Sequence, residues 1–486
     1  MQEIIFVLSR SFALSSLIVR TLRCQQIYCM PLSPDTSAAD IRKLSAKGMK
    51  GILWASEPDD CDLPEEALLS AGVPVLVLGG GAIALCRRFG GQTAEDIPLD
   101  QSVTFGFSQS VLFTDMGGGE RKFHGGSCLD LTETLTSIAT ATQRCIGFEH
   151  PEQVLFALQY PMEHNDPDTA RILYNFACHV CGVEASWDEE SVTQRTIQTI
   201  REAAGDGRVL CAVSGGVDSA VCAKLAHMAV EERLDCMLID TGFFREGEPE
   251  EILHSCRDEM GIPVQRLDAK ARFMKALEGI KASEEKEKRI TELLNEILQE
   301  QYASSGQEAC TIMMGTNFDD VFYQEPSPQA LFAFSVKDEK SCRYMEPMAD
   351  LLKEEIRGLA LFLSLPVEVA QRKAFPAGGL AMRIEGEVTA EKLGLCRAAD
   401  AIFLEEIHEG KHEKRLSQYY ATLMMPSEAA SEKGGRISLC ALQSAQGSAY
   451  AARLPYDVLE RATQRILAEV PAIYSVVYEL TPRPHA

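Results

Sequence analysis

The run VLCAVSGGVDSAVCAKL at residues 209–225 constrains this chain more than any other stretch. An apolar segment ends at Val213, and Ser214, Gly215 and Gly216 follow. Val221, Leu225 and Met228 then recur at helical spacing. A buried strand must therefore hand over to a helix within a few residues. Glycine in such a turn lets backbone N–H groups approach an anion with no Cβ in the way. The helix start supplies unpaired donors and the positive end of the helix dipole. The segment Ser214, Gly215, Gly216, Val217, Asp218, Ser219, Ala220 thus reads as a cradle for a pyrophosphate group, with both serines adding hydroxyl donors. Asp218 cannot attract phosphate itself, so its place here suits a carboxylate that holds Mg²⁺ against phosphate oxygens. An ordinary strand–turn–helix with Asp or Ser as the cap would share each single feature. The complete string between strand and helix favours the phosphate reading.

The rest of the chain alternates in the way such a turn requires. Residues 4–8, 51–54 and 74–78 are apolar runs suited to buried parallel strands, and residues 13–23 and 38–47 between them are helical. Further strands are expected near 104–107 and 154–159, a helix over 168–181, and a connecting helix over 187–207. Strands at 208–213, 236–240, 264–267 and 311–314 alternate with helical sequence, the pattern of a doubly wound sheet. The charged insert 283–301 reads as a helix with a solvated charged face. Helices over 392–410 and 458–470 and strands over 436–442 and 475–480 complete a smaller α+β unit. The expected organisation is α/β: two doubly wound α/β domains, 1–185 and 186–365, and a small α+β domain, 366–486.

Seventy-one acidic residues against 47 basic ones give a net charge of −24, which argues against nonspecific binding to nucleic acid or to anionic membrane. Sixteen cysteines scattered over 486 residues do not make a secreted disulfide scaffold, so a reducing, cytoplasmic setting is expected. The longest uncharged apolar run, 74–86, is too short to span a bilayer, and the N-terminus lacks the features of a signal peptide.

The loop resembles the signature of N-type ATP pyrophosphatases, which cleave ATP to AMP and pyrophosphate, and matches SGGVDS completely at Ser214–Ser219. The second strand ends LIDTGFFR, resembling VDNGLLR, with Asp240, Gly242 and Arg245 matching and Thr241 in place of Asn. An acidic strand end suits the nucleoside part of ATP. Along its whole length the chain resembles the GMP synthetase family, which aminates XMP. GTNFDDV at 315–321, EPMADLLKEEIRGLALFLSLP at 346–366 and FPAGGLAMRI at 375–384 resemble family strings, the last with Arg383 in place. AADAIFLEEI at 398–407, LPYDVLERATQRI at 454–466 and VVYELTPRP at 476–484 resemble its dimerisation domain. The resemblance implies ATP and Mg²⁺ as cofactors, a purine nucleotide such as XMP as acceptor, a homodimer, and Asp218, Lys337 and Arg383 as catalytic residues, with Asp240 and Arg245 beside ATP.

The departures are as informative. In the family the N-terminal domain is a class I glutamine amidotransferase with a Cys nucleophile and a His–Glu pair, chemistry that needs a thiolate beside an imidazole. Here the Cys position is Gly79, the His position Tyr160 and the Glu position Met162, and the oxyanion glycines read ASEP at 55–58. Cys86 lies seven residues beyond Gly79, on an expected buried helix face, and Glu163 and His164 face no nucleophile. The domain is expected not to hydrolyse glutamine. Ammonia would then come from solution or from a separate glutaminase. In the synthetase half the family's KSHHNVGGLP loop is shortened to VKDEKSCRYMEP, keeping Lys337, and the family's KPPATIEWE tail is reduced to Arg483 and the last residues. An acceptor other than XMP, or nucleotide binding without turnover, therefore stays open. Cys178 and Cys181 form a single CxxC, weak for zinc, and HEGKH at 408–412 carries Gly410 where a zinc helix must be continuous.

Overall fold

The computed structural model describes residues 3–37, 40, 43, 48–63, 66–69, 71–97, 101–123, 126–160, 162–163, 165–304, 310–322, 337–339, 342–373, 378–424, 435–445 and 448–481. It divides into two compact units, Met1–Val192 with Phe318–Ala333, and Thr193–Asn317 with Phe334–Ala486. Among the described residues no helix is long and apolar enough to cross a membrane.

In the first unit β1 (Ile4–Ser9), β2 (Cys29–Leu32), β3 (Met49–Ala55) and β4 (Val75–Leu78) pair in parallel. Their side chains are buried almost throughout, as expected of strands covered on both faces. The helix α1 (Phe12–Cys24) returns between the first two, capped by Ser11, whose hydroxyl accepts from Leu14 N–H. α2 (Gly81–Arg88) follows β4 directly. The sheet then changes character. β5 (Gln92–Ile97) and β8 (Gly126–Asp130) form a separate antiparallel ribbon. β6 (Gln101–Phe107), β7 (Gly119–Phe123), β9 (Thr136–Ala141) and β10 (Arg144–His150) extend the main sheet antiparallel to one another. β11 (Leu155–Leu158) closes the gap, parallel to β4 and antiparallel to β10. The helix expected over 168–181 is α3 (Pro167–Tyr174), capped by Asp166 and continued by a wider π turn over Asn175–Val180. Most of the helix expected over 38–47 lies outside the described residues.

After α4 (Glu189–Ala204), β12 (Arg208–Val213), β13 (Leu234–Asp240), β14 (Val264–Asp268) and β15 (Cys310–Met313) form the parallel part of the second unit's sheet. β17 (Cys342–Met345), parallel to β15, and β16 (Lys337–Glu339), antiparallel to β17, complete it, in the order β14-β13-β12-β15-β17-β16. β12 therefore has its successor β13 on one side and the later β15 on the other. The crossovers change direction at that point, which opens a crevice at the carboxyl ends of β12 and β15. α5 (Val217–Val230) starts in that crevice.

α6 (Ser283–Ser304) buries Ile290, Leu293, Ile297 and Leu298 along one stripe and leaves Glu284, Glu285, Glu287 and Lys288 exposed. The expectation that its charged residues all face solvent fails at Lys286. That side chain is fully buried because it falls on the same helical face as Ile290, four residues on. β18 (Gln418–Met424), β19 (Gly435–Ala445) and β20 (Ser448–Ala451) form an antiparallel sheet, with β21 (Ile473–Tyr478) parallel to β19. α7 (Lys353–Phe362) lies in the central part of this unit, and α8 (Ala390–Glu409) and α9 (Tyr456–Glu469) belong to its end. One apolar core runs from Leu210 and Phe273 through Ile290 to Phe403, Leu423 and Ile466.

Candidate functional site

The loop sits at the crevice. Gly215 has φ +87°, and a Cβ there would lie 2.5 Å from Ile252 Cδ1 and 2.7 Å from Arg372 Nη1. Only glycine meets both demands without strain. Gly216 is the residue before α5 and caps it with no side chain, leaving the first N–H groups of the helix without intrahelical partners. Ser219 Oγ accepts from Ser214 N–H at 3.1 Å, lies 3.1 Å from Ser214 Oγ, and donates to Gly216 O at 3.0 Å. Ser219 therefore shapes the turn, while Ser214 stays exposed at its rim. Gly315, just beyond β15, lets that strand end approach α5: a Cβ would come within 3.1 Å of Ser219 N.

Asp218 is held from one side only. One of its oxygens pairs with Lys353 at the start of α7, and Oδ1 is buried without a hydrogen-bond partner. A cation at the first position of a helix opposes the helix dipole, so Lys353 is placed there at a cost that its partner offsets. Arg372 also bears on the loop. Its Nη1 is buried without a hydrogen bond, and Glu248 Oε1 lies 3.9 Å away. Neither cation was singled out from sequence. Lys353 lies inside the recognised string DLLKEEIR, where a lysine at a helix start is the available signal, and Arg372 precedes the recognised glycine segment by a few residues.

The other expected site residues fall in different surroundings. Asp240 is fully buried at the end of β13. It accepts from Gly242 N–H at 2.9 Å and from Arg266 Nε at 2.9 Å, with Lys270 Nζ at 3.3 Å. Burial works to raise its carboxyl, but these partners outweigh burial and hold it below the ordinary carboxylate value. Arg245 turns towards the end of the unit: Nε is 3.0 Å from the buried Asp400 Oδ2, and Nη2 donates to Tyr419 O at 2.9 Å. Arg383 is buried at the end of a 3₁₀ turn, Gly379–Arg383, with its guanidinium 3.5 Å from the centre of the Tyr420 ring. Burial pulls its guanidinium below the usual value. Lys337 opens β16, opposite Tyr344 of β17. Arg483, His164 and the first residues of FPAGGLAMRI lie outside the described residues.

The turn at Gly79 in the first unit, the expected elbow, is closed by its own backbone. Gly79 follows β4 with φ +78°, and a Cβ on it would lie 1.9 Å from Ser56 O. A Cβ on Gly80 would lie 2.5 Å from Asp60 O. The amides that an elbow turns towards an oxyanion are already used. Gly79 N–H donates to Leu158 O at 3.0 Å, Gly80 N–H to Glu57 O at 3.2 Å, and Gly81 N–H to Ser56 Oγ at 2.8 Å. Tyr160 is buried, and its hydroxyl donates towards Asp168 Oδ2 at 3.3 Å and Asp166 Oδ2 at 3.4 Å. Burial first, then these two carboxylates, push its phenol well above the ordinary value. Met162 next to it brings no titratable group. Cys86 is buried on α2 and points towards Asp130 O, 3.9 Å away, with its thiol pushed up by burial to about 11.

At residues 408–412, α8 ends at Glu409, Gly410 caps it, and His408 Nε2 lies 3.0 Å from Tyr419 OH. The two histidines of HEGKH therefore do not share one helix face.

A mostly parallel sheet with a glycine turn at its switch point, a helix N-terminus over that turn and an acidic neighbouring strand end defines an α/β nucleotide-binding enzyme. Residues 405–486 match the family model described as GMP synthase C terminal domain. The glutamine-hydrolyzing GMP synthase of Rippkaea orientalis is 32% identical over 516 residues, spanning 99% of this chain and 94% of that protein. The enzyme of the same name from Clostridium botulinum is 29% identical over 516 residues, spanning 100% and 99%. Among solved structures, NH3-dependent NAD synthetase from Campylobacter jejuni aligns over 47% of this chain and 86% of that one, at 18% identity and a TM-score of 0.31. The chain belongs to the glutamine-hydrolyzing GMP synthase family.

Proposed function

We propose that this chain aminates XMP to GMP at the expense of ATP, using ammonia that its own amidotransferase-like domain does not supply. Family membership makes it an ATP-dependent ligase of purine nucleotide synthesis; the acceptor and the ammonia source are the proposal. In this reading residues 1–185 are the degenerate amidotransferase domain, 186–365 the ATP pyrophosphatase domain and 366–486 the dimerisation domain of a cytoplasmic homodimer. The XMP carbonyl oxygen attacks the α-phosphorus of ATP and pyrophosphate leaves. Ammonia then adds to the adenylated carbon, a proton is lost, and AMP departs with its oxygen.

The protein's part is positioning and charge stabilisation. The N–H groups of Gly215–Ser219 receive the departing pyrophosphate, and Arg372 and Lys353 bring positive charge to the same anion. The unpaired Asp218 Oδ1 fits Mg²⁺, which when bound would screen the phosphate charges. Arg383 and Lys337 are read as the cations on the acceptor side.

The closed elbow carries the ammonia part of the proposal. The space for a nucleophile's Cβ is filled by Ser56 O, and the elbow amides are spent, Gly79 N–H on Leu158 O and those of Gly80 and Gly81 on the 56–60 segment. The test is pyrophosphate release from ATP and Mg²⁺ with ammonium and a panel of purine monophosphates. Strong release with XMP is expected. Release with a different acceptor alone, or ATP binding with no AMP formed under any acceptor, would overturn the reading.

A further inference from the structure

α6 carries a lysine that the proposed mechanism does not use. Lys286 is fully buried, and its Nζ donates to Ile384 O at 2.6 Å and reaches Ala381 O at 3.5 Å. Those two carbonyls bracket Arg383 at the C-terminal end of the 3₁₀ turn Gly379–Arg383. The same short segment is tied on both other sides. Leu380 N–H donates to Phe243 O at 2.7 Å, in the loop after Asp240, and Glu385 N–H donates to Leu423 O at 2.9 Å, in β18. Cys396 Sγ on α8 donates to Arg383 O at 3.5 Å.

Two carbonyls could be satisfied by a neutral donor. An ammonium taken wholly out of water and set on carbonyl oxygens costs far more than such a donor. The charge itself therefore calls for a use. A cation is favoured at the carbonyl end of a helical turn, and this turn ends in a second buried cation, Arg383. Asp400 acts on Arg383 and Glu385 acts on Lys286, so each cation has an acidic counterpart and the lysine's part is to fix the turn.

We propose that Lys286 is a positioning residue of the nucleotide site: its ammonium clamps the turn that presents Arg383. The inference rests on the reading of Arg383 as an acceptor-side cation. The charged groups that act on Lys286 are Lys392 of α8, which opposes its charge, and Glu385, which favours it. Burial first, then Lys392, lowers its ammonium to about 8. A turn held by the charged lysine is clamped less firmly as pH rises through that value, and an anion that needs Arg383 in place then binds less well.

The experiment measures steady-state kinetics of the full chain with ATP, ammonium and XMP from pH 7 to 9.5, for wild type, Lys286→Met, Lys286→Gln and, as a marker of the site, Arg383→Lys. Lys286→Met is expected to raise KM for XMP about tenfold with KM for ATP unchanged and kcat altered much less. Lys286→Gln, which keeps a donor without charge, should fall between. The wild-type kcat/KM for XMP should decline above about pH 8, and this limb should vanish in Lys286→Met. Equal rises in both KM values, a fall in kcat alone, or an unchanged pH limb in Lys286→Met would overturn the inference while leaving the proposed function standing. A wild-type chain with no XMP turnover would overturn both, so the two failures are told apart by the wild-type lane.

Discussion

Restoring the missing nucleophile should not restore glutaminase activity. In Gly79→Cys the backbone must keep φ near +78°, and the new Cβ must share space with Ser56 O, which stands 1.9 Å from it. The left-handed conformation costs a non-glycine residue about 1–2 kcal/mol. Nucleophile elbows in active enzymes carry similar strain, so this term alone would not forbid a cysteine. The clash decides. A carbonyl cannot yield by rotating a side chain, so the 56–60 segment must move, and such overpacking costs a further ~1–3 kcal/mol. Moving it also breaks the bonds from Gly80 N–H to Glu57 O and from Gly81 N–H to Ser56 Oγ. The combined loss, about 2–5 kcal/mol, is a large part of a typical domain's stability of roughly 5–15 kcal/mol. Urea denaturation of Gly79→Cys should show this drop, and glutamate release from glutamine should stay at background, even when Tyr160→His is added. A Gly79→Cys chain as stable as wild type that hydrolyses glutamine would refute the argument that the elbow is closed.

Further outcomes follow from the second unit. Asp218→Asn should lower AMP formation at least about a hundredfold, as expected when a charge-stabilising group at the phosphates is removed; the check is single-turnover AMP release. Arg372→Ala should raise KM for ATP about tenfold, the worth of one charge-assisted hydrogen bond, with XMP binding unaffected in steady-state assays. Gly215→Ala combines φ +87° with a Cβ 2.5 Å from Ile252 Cδ1, so it should lose ~1–3 kcal/mol in urea denaturation and weaken ATP binding by calorimetry. Asp240 is held below its ordinary value of 3.8, so its stabilisation is present above pH 3.8 and lost as pH falls through the lower native value. Asp240→Asn should therefore cost ~1–3 kcal/mol at pH 7 and flatten the acid limb of the stability curve below pH 4.

The parts of the fold that sequence shows well are those with one dominant cause. β1, β3 and β4 are buried on both faces and read as continuous apolar runs, and the loop at 214–219 needs its glycines whatever surrounds it. The antiparallel half of the first sheet, β6, β7, β9 and β10, and the separate β5–β8 ribbon left only a trace near 104–107. Those strands mix Gly, Thr and charged residues and are stabilised by pairing with neighbours distant in sequence, which local periodicity does not encode. The wider turn over Asn175–Val180 was hidden for a similar reason, since a π turn keeps helical composition. At the site, Gly79 was legible as a departure from the family pattern because the resemblance calls for one residue type there. The closure of the elbow was not, because it depends on where the 56–60 segment packs. Lys353, Arg372 and Lys286 were missed together: each is a long cation on a helix or turn, and sequence alone gives such residues to solvent until a partner such as Asp218 Oδ2 or Ile384 O is seen.

The central claim concerns where nitrogen comes from. The direct measurement is GMP and AMP formation by the purified chain with ATP, Mg²⁺ and XMP, supplied in parallel with ammonium or with glutamine. The closed elbow predicts product with ammonium and background with glutamine. Equal rates from the two nitrogen sources would contradict the account.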